Sequence, residues 1–266
     1  MRDSDRDVSR SRGAKPLLAV FGLLLILLFA GLGTWQVIRL QWKLDLIARV
    51  EARVHAAPAP LPPAARWAGI TAAGDEYRRV QLRGSYLYEL TTPVQALTEQ
   101  GSGYWLLTPM CTDDGRIVIV NRGFIEAGLG ERTRYEGKRA GAQPCAATAA
   151  PVTITGLLRI SEPGNAFTRS NDPASNRWFV RDIAAIAAAR GLPGAAPFFV
   201  DAAARMNPPD SPDRPVGGLT VVHFPNSHLV YAITWYALAL MVGGAWWWTA
   251  RAGASGTGAG NDERDD

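Results

Sequence analysis

The 266-residue sequence predicts an α+β membrane protein, in which two transmembrane helices flank an antiparallel, barrel-like β domain carrying one or two helices of its own. Three observations predict it. Leu17 to Val37 is free of charge and as long as a bilayer requires. His228 to Trp248 is a second apolar run of similar length. Between them, short stretches of alternating polarity are separated by turn residues, the pattern of half-buried strands.

The first run is leucine-rich and longer than the core of a cleaved leader, and no small-residue cleavage pattern follows it, so it reads as an uncleaved anchor. Gly31 and Gly33 offer a close helix contact, and Trp35, Gln36 and Trp42 suit an interfacial belt. The helix is expected to continue beyond the membrane, with Leu40, Leu44, Ile47 and Val54 on one side, until Ala57-Pro-Ala-Pro-Leu-Pro-Pro63 stops it. Strands follow at Val80–Tyr86, Tyr104–Met110, Arg116–Asn121 (opened by the turn Asp113-Asp114-Gly115 and apolar on both faces), Val152–Ile160, Pro197–Asp201 and Gly218–Phe224. Asp182 to Arg190 is a short helix with Asp182 as N-cap and Gly191 as terminator. Residues 126–150 lack an apolar period and read as a mobile loop. The expected organisation is a basic tail over 1–15, a first span over 16–38, a helical extension and proline linker over 39–64, a β-rich domain over 65–226, a second span over 227–248, and a disordered tail over 249–266. In the second span Gly243 and Gly244 offer a packing notch, and Trp246, Trp247 and Trp248 an interfacial anchor. Two spans put both termini on one side. The basic residues before the first span (Arg2, Arg6, Arg10, Arg12, Lys15) place that side in the cytoplasm, with the β domain outside.

Composition narrows the function. The net charge of +4 is scattered, without a basic stripe interleaved with aromatics, so nucleic acid is not an expected partner. His55, His223 and His228 are too dispersed for a zinc site. Cys111 and Cys145 form no CxxC; they are either bridged or two unrelated small residues. Hydrolase, P-loop, zincin and dinucleotide motifs are missing, and no activated nucleophile is visible, so the chain is not expected to be an enzyme. Asp113, Asp114, Asp182 and Asp201 fall where turn and cap hydrogen bonding is their ordinary role. Arg122, after a buried strand and before Gly123, reads either as a contact for a substrate or partner or, preferably, as a strand-end residue pairing a carboxylate, with Gly123 at positive φ.

The candidate site is at the mouth of the second span. His228, Tyr231 and Trp235 recur at one-turn spacing on one helical face. An imidazole is a good axial ligand for haem iron, aromatic rings supply flat walls, and Arg39, Lys43 and Asn226 lie at the level where propionates would meet water. The other reading of the same face is a hydrogen-bonded packing histidine.

Several blocks together resemble the Surfeit locus protein family, the Shy-type assembly factors of cytochrome c oxidase. They are Gly33-Thr-Trp35-Gln36 with Arg39 and Trp42-Lys43, Val80-x-Leu82-x-Gly84-x-Tyr86, Thr108-Pro109, Asn121-Arg122-Gly123, Gly156-Leu-Leu-Arg159, Trp178-x-x-Arg181-Asp182, Phe199-Val-Asp201, and Asn226-x-His228-Leu-x-Tyr231-Ala-x-Thr234-Trp235-Tyr236. The resemblance implies a bacterial cytoplasmic (inner) membrane protein with a periplasmic central domain. It implies a role in maturing the haem–copper oxidase by receiving haem a and helping to place it in the catalytic subunit, with the haem a synthesis machinery as a further implied partner. His228 would be the iron ligand, Tyr231, Trp235 and Tyr236 the pocket walls, and Gly84 a structural position. The alternatives are a scaffold that stabilises an early oxidase intermediate without haem, and, last, a thiol-based enzyme using Cys111 or Cys145.

Overall fold

The computed structural model describes residues 5–128, 135–146, 150–165, 168–220 and 226–255, with side chains between Leu17 and Arg251. The chain divides into two compact units, residues 1–48 with 223–266, and residues 49–222.

The first unit is a helix pair. Helix α1 (Asp5–His55) is continuous from the basic segment to the proline stretch, and α4 (His228–Ser255) carries the second apolar run. Both are long and apolar enough to cross a membrane. Gln36 meets His228, Thr34 meets Tyr236, and Gly243 faces Ile26, so the helices run antiparallel. Of the four glycines expected as packing notches only Gly33 is tight: a Cβ there would lie 2.9 Å from the Tyr236 ring. A Cβ on Gly31 or Gly244 would meet nothing within 4 Å, and one on Gly243 only an ordinary contact at 3.9 Å. Most leucines of α1 point outward, as lipid-facing positions do. The helix of α4 runs through Ser255, into what was expected to be a disordered tail; the rest of that tail lies outside the described residues.

The second unit is built on one sheet. Its strands are β1 (Ala59–Pro60), β2 (Arg79–Tyr86), β3 (Thr92–Thr98), β4 (Gly101–Thr112), β5 (Ile117–Glu126), β6 (Val152–Ile160) and β7 (Phe198–Ala202), in the order β1-β2-β6-β7-β5-β4-β3. A further pairing joins β2 to β4, so β2, β6, β7, β5 and β4 form a closed circuit of ladders. The expectation of an antiparallel sheet is corrected here: the sheet is mixed, with β5–β7 and β1–β2 parallel. The reason is parity. Five strands in a circuit cannot alternate direction all the way round, so one neighbouring pair must be parallel.

β2 changes partner along its length. Arg79–Gly84 pair with β6 and Gly84–Tyr86 with β4, overlapping at Gly84. A Cβ on Gly84 would fall 2.2 Å from the Cys111 carbonyl oxygen, so only glycine lets three strands converge there.

The expected strand at 116–121 is buried on both faces, as its unbroken apolar run predicted. Val118 and Val120 join Val80, Leu82, Ile154, Phe198 and Val200 on one face. Ile119 packs on the other with Val94, Trp178, Phe199 and the α3 residues Ile183 and Ile186. Helix α3 (Ile183–Arg190) starts where predicted, with Asp182 accepting from the Ala185 N–H at 3.1 Å and Gly191 closing it at φ 69°. A short helix α2 (Ala72–Asp75) is held by Arg53 of α1, whose Nη2 donates to the Ala73 carbonyl at 2.7 Å.

β3 is a strand the sequence reading does not name; it contains Pro93 and lies at the sheet's end, where a missing N–H is tolerated. Two further expectations change. Residues 218–220 are not a strand; the nearest ladder contact is an isolated bridge between Val216 and Phe124, and 221–225, with His223, lie outside the described residues. The described part of the expected mobile loop, 135–146, is fastened down. Tyr135 is buried, Arg139 Nη1 donates to the Ala188 and Ala189 carbonyls, and Cys145 is disulfide-bonded to Cys111.

The disulfide closes a loop of 34 residues, long enough for chain entropy to contribute about 3–4 kcal/mol. Replacing both cysteines with serine is therefore expected to lower the unfolding free energy of the β unit by about that amount in a denaturant titration. Gly84→Ala is expected to cost about 1–3 kcal/mol in the same titration, because the β2–β4 crossing must open; a neutral result would show that the strands do not converge there.

Candidate functional site

Helix α4 opens at His228, with the Tyr231 N–H already donating to the Ser227 carbonyl at 3.2 Å. This sets His228 in the first turn, where its ring reaches across to α1. His228 Nδ1 lies 2.7 Å from Gln36 Oε1. A carboxamide oxygen only accepts, so Nδ1 carries the proton and donates. The bond fixes the orientation of the ring and commits Nδ1 to Gln36, and Nε2 has no hydrogen-bond partner among the described residues.

The three residues expected to share one face are only partly brought together. His228 is half-buried, and Trp235 stacks on Phe29 of α1 with ring centroids 5.7 Å apart and planes at 24°. Tyr231 is turned to the flank and is 54% exposed. The closest line of contact runs instead through Ala232, which is buried, and Tyr236, whose hydroxyl lies 3.0 Å from Thr34 Oγ1. Of the residues proposed to meet propionates, Arg39 sits over the Trp42 ring at 4.4 Å, Asn226 is exposed and Lys43 is half-buried. Sequence reasoning placed Gln36 in an interfacial belt and missed it as the histidine's partner. The missing signal is the antiparallel register, which is not legible within either helix alone.

The second constellation is in the β unit. Asp201 was expected in a turn, but it lies within β7, 4% exposed, and is the centre of a polar network. Its Oδ1 accepts from Asn121 Nδ2 at 2.8 Å, and its Oδ2 accepts from Arg159 Nη1 and Thr220 Oγ1, each at 3.0 Å. Arg159 also pairs with Glu76 and Glu162, and Arg181 grips Glu162 with both Nε and Nη2 while lying 3.6 Å from Asp201. Burial opposes the charge on Arg159, but Asp201, Tyr77, Glu162 and Glu76 outweigh it and hold the guanidinium above the usual arginine range. Asn121, Arg159, Arg181, Asp201 and Thr220, with Leu97, Trp105 and Leu219, line a cavity of about 460 Å³. Every guanidinium in it is matched by carboxylates, so it reads as the strut that joins β5, β6 and β7.

Arg122 is also corrected. It lies inside β5, is fully buried, and makes no carboxylate ion pair among the described residues. Its Nη2 donates to the Pro212 carbonyl at 2.7 Å, its Nε to Asn207 Oδ1 at 3.3 Å, and its guanidinium lies over the Tyr88 ring at 4.7 Å. Burial pulls the guanidinium below the usual arginine range and pushes the Tyr86 hydroxyl beside it up. Gly123 has φ 130°, at positive φ as expected.

A mixed-sheet α+β unit between two helices of membrane-spanning length, the second opening on a histidine tied to the first, defines the class. The SURF1 family profile matches residues 23–240, most of the chain and both constellations. Surfeit locus protein 1 of Homo sapiens is 36% identical over 234 residues, covering 81% of this chain and 72% of its own length. SURF1-like proteins of Monosiga brevicollis and Drosophila melanogaster are 33% and 32% identical, covering 86% and 88% of this chain and 85% and 78% of their own. The chain belongs to the SURF1 family.

Removing the Asp201 carboxylate leaves Arg159 without its most buried partner. Asp201→Ala is expected to destabilise the β unit by about 3–5 kcal/mol in chemical denaturation, and Thr220→Val by about 1 kcal/mol. Equal, small effects of both would show that Asp201 is not the centre of the network.

Proposed function

We propose that this chain is a membrane-bound assembly factor for the haem–copper cytochrome c oxidase, which binds haem a through His228 and aids its insertion into the catalytic subunit. The observation that carries the reading is the hydrogen bond from His228 Nδ1 to Gln36 Oε1. A histidine that ligates a metal through one nitrogen commonly donates its other N–H to an oxygen, which fixes the tautomer and the ring. Here that arrangement is built from two helices before any metal is considered.

The residues fit the cofactor as a half-site. His228 would hold iron, and exposed Tyr231 beside it would cover part of a macrocycle. Trp235, expected as a wall, is already stacked on Phe29, so it acts by fixing the helix pair that presents the histidine. When bound, the group would supply a redox-active iron; the chain would supply one imidazole held in place through its Nδ1. This is a carrier's equipment and not that of an enzyme. The setting is the bacterial cytoplasmic membrane, with both termini in the cytoplasm and the β unit in the periplasm. The Cys111–Cys145 disulfide supports that placement, because such bonds persist in oxidising compartments. Partners on this reading are the oxidase catalytic subunit, the haem a synthesis machinery and surrounding lipid.

The same Phe29–Trp235 stack favours a second reading, a scaffold that holds an early oxidase intermediate and carries no haem. One preparation separates the two. Full-length chain purified in detergent from cells making haem a is expected to show a Soret band, lost in His228→Ala while the far-UV circular dichroism is unchanged. Gln36→Leu is expected to keep the band at saturation but weaken haem affinity about tenfold or more, the usual cost of losing a ligand's supporting partner. Colourless wild-type protein that still co-purifies with the catalytic subunit would instead establish the scaffold.

A further inference from the structure

The two arginines Arg169 and Arg177 in the β unit are treated quite differently from Arg159 and Arg181. They line a cavity of about 250 Å³ together with Gln95, Tyr104, Trp178 and Phe179, and no carboxylate lines it. Neither Arg169 nor Arg177 makes an ion pair among the described residues. The Arg169 guanidinium lies over the Phe179 ring at 4.2 Å, which orients it without neutralising it. The nearest acid in sequence, Asp172, spends Oδ1 on the Ser175 N–H at 3.2 Å.

The walls are firmly built. Residues 172 and 177 exchange two backbone hydrogen bonds, of 2.8 and 2.9 Å, which close the loop that presents Arg177. Asn171 Oδ1 accepts from the Phe179 and Val180 N–H groups at 2.7 and 3.0 Å and fixes the ring under Arg169. The Gln95 N–H donates to the Trp178 carbonyl at 2.8 Å and ties the segment to the edge strand β3. Arg177 also feels the Asp172 carboxylate beside it, but that acid does not line the cleft. A cleft lined by two guanidiniums, aromatic sides and no carboxylate is the chemistry of an anion receptor.

The geometry points to a binding site for a compact oxyanion, a phosphate or carboxylate group, bridged by Arg169 and Arg177, with the adjoining part of the ligand resting on Tyr104, Trp178 and Phe179. The volume lies below the range of about 300–1,000 Å³ typical of drug-sized ligands, so only a headgroup-sized portion enters. The group belongs either to a lipid headgroup or to a free solute, and the chemistry is shared. The site is independent of His228 and does not rest on the haem reading.

The test is calorimetric titration of full-length chain, in neutral detergent, with inorganic phosphate. Saturable binding is expected. Arg169→Gln with Arg177→Gln is expected to weaken it about tenfold or more, since two charge-assisted hydrogen bonds are lost. Arg66→Gln with Lys138→Gln removes the same charge from exposed positions outside the cleft and is expected to bind like wild type. No saturable binding by wild type, or equal weakening by both double variants, overturns the site. Repeating the titration in nanodiscs of phosphatidylcholine with and without phosphatidylglycerol assigns the source. Competition by the anionic lipid identifies a headgroup, and undiminished phosphate binding identifies a free solute.

Discussion

A single N–H···O bond between two helices fixes the one histidine at the mouth of α4. With Gln36 accepting from Nδ1, the His228 ring is oriented and only its Nε2 is left without a partner among the described residues. Without that bond the same ring, at the start of α4, would be free to rotate and to exchange tautomers. The helix pair exists to hold the bond: Tyr236 packs on Gly33 and reaches Thr34, and Trp235 stacks on Phe29. These contacts fix the register that brings residue 36 opposite residue 228.

The β unit solves a separate problem of geometry. Its five-strand circuit must contain one parallel pair, and β5–β7 is that pair. Asp201 sits on β7 at that junction, opposite Asn121 of β5, and ties both strands to Arg159 of β6. The charged network lies where a parallel ladder meets antiparallel neighbours. Gly84, where a Cβ would meet the Cys111 carbonyl, lies where β2 passes from β6 to β4. The Asn121, Gly84, Arg159 and Asp201 positions in the recurring family blocks thus have structural reasons that require no ligand.

Local chemistry was legible in the sequence wherever it was local. The doubly buried β5, the α3 cap and terminator, the alternating β6 and the two apolar helices all carry their signal within a few residues. What was not legible depended on partners far along the chain. The edge strand β3 went unread, and only the sheet order places its Pro93 at an edge, where a missing N–H is tolerated. Asp201 looked like a turn residue because its four polar neighbours come from positions 121, 159, 181 and 220. Loop 135–146 looked mobile because its anchors, Ala188 and Cys111, are remote. His228 was found from its place at a helix mouth, but Gln36 was not, and a face drawn at 100° per residue kept Tyr231 where packing turns it aside.

The most direct measurement is the tautomeric state of His228, read from ¹⁵N chemical shifts of full-length chain labelled at histidine and assigned by comparison with His228→Ala. The account predicts that the neutral form of the ring carries its proton on Nδ1. A ring protonated at Nε2, which would require the Gln36 amide to present its NH₂ instead of its oxygen, would contradict it.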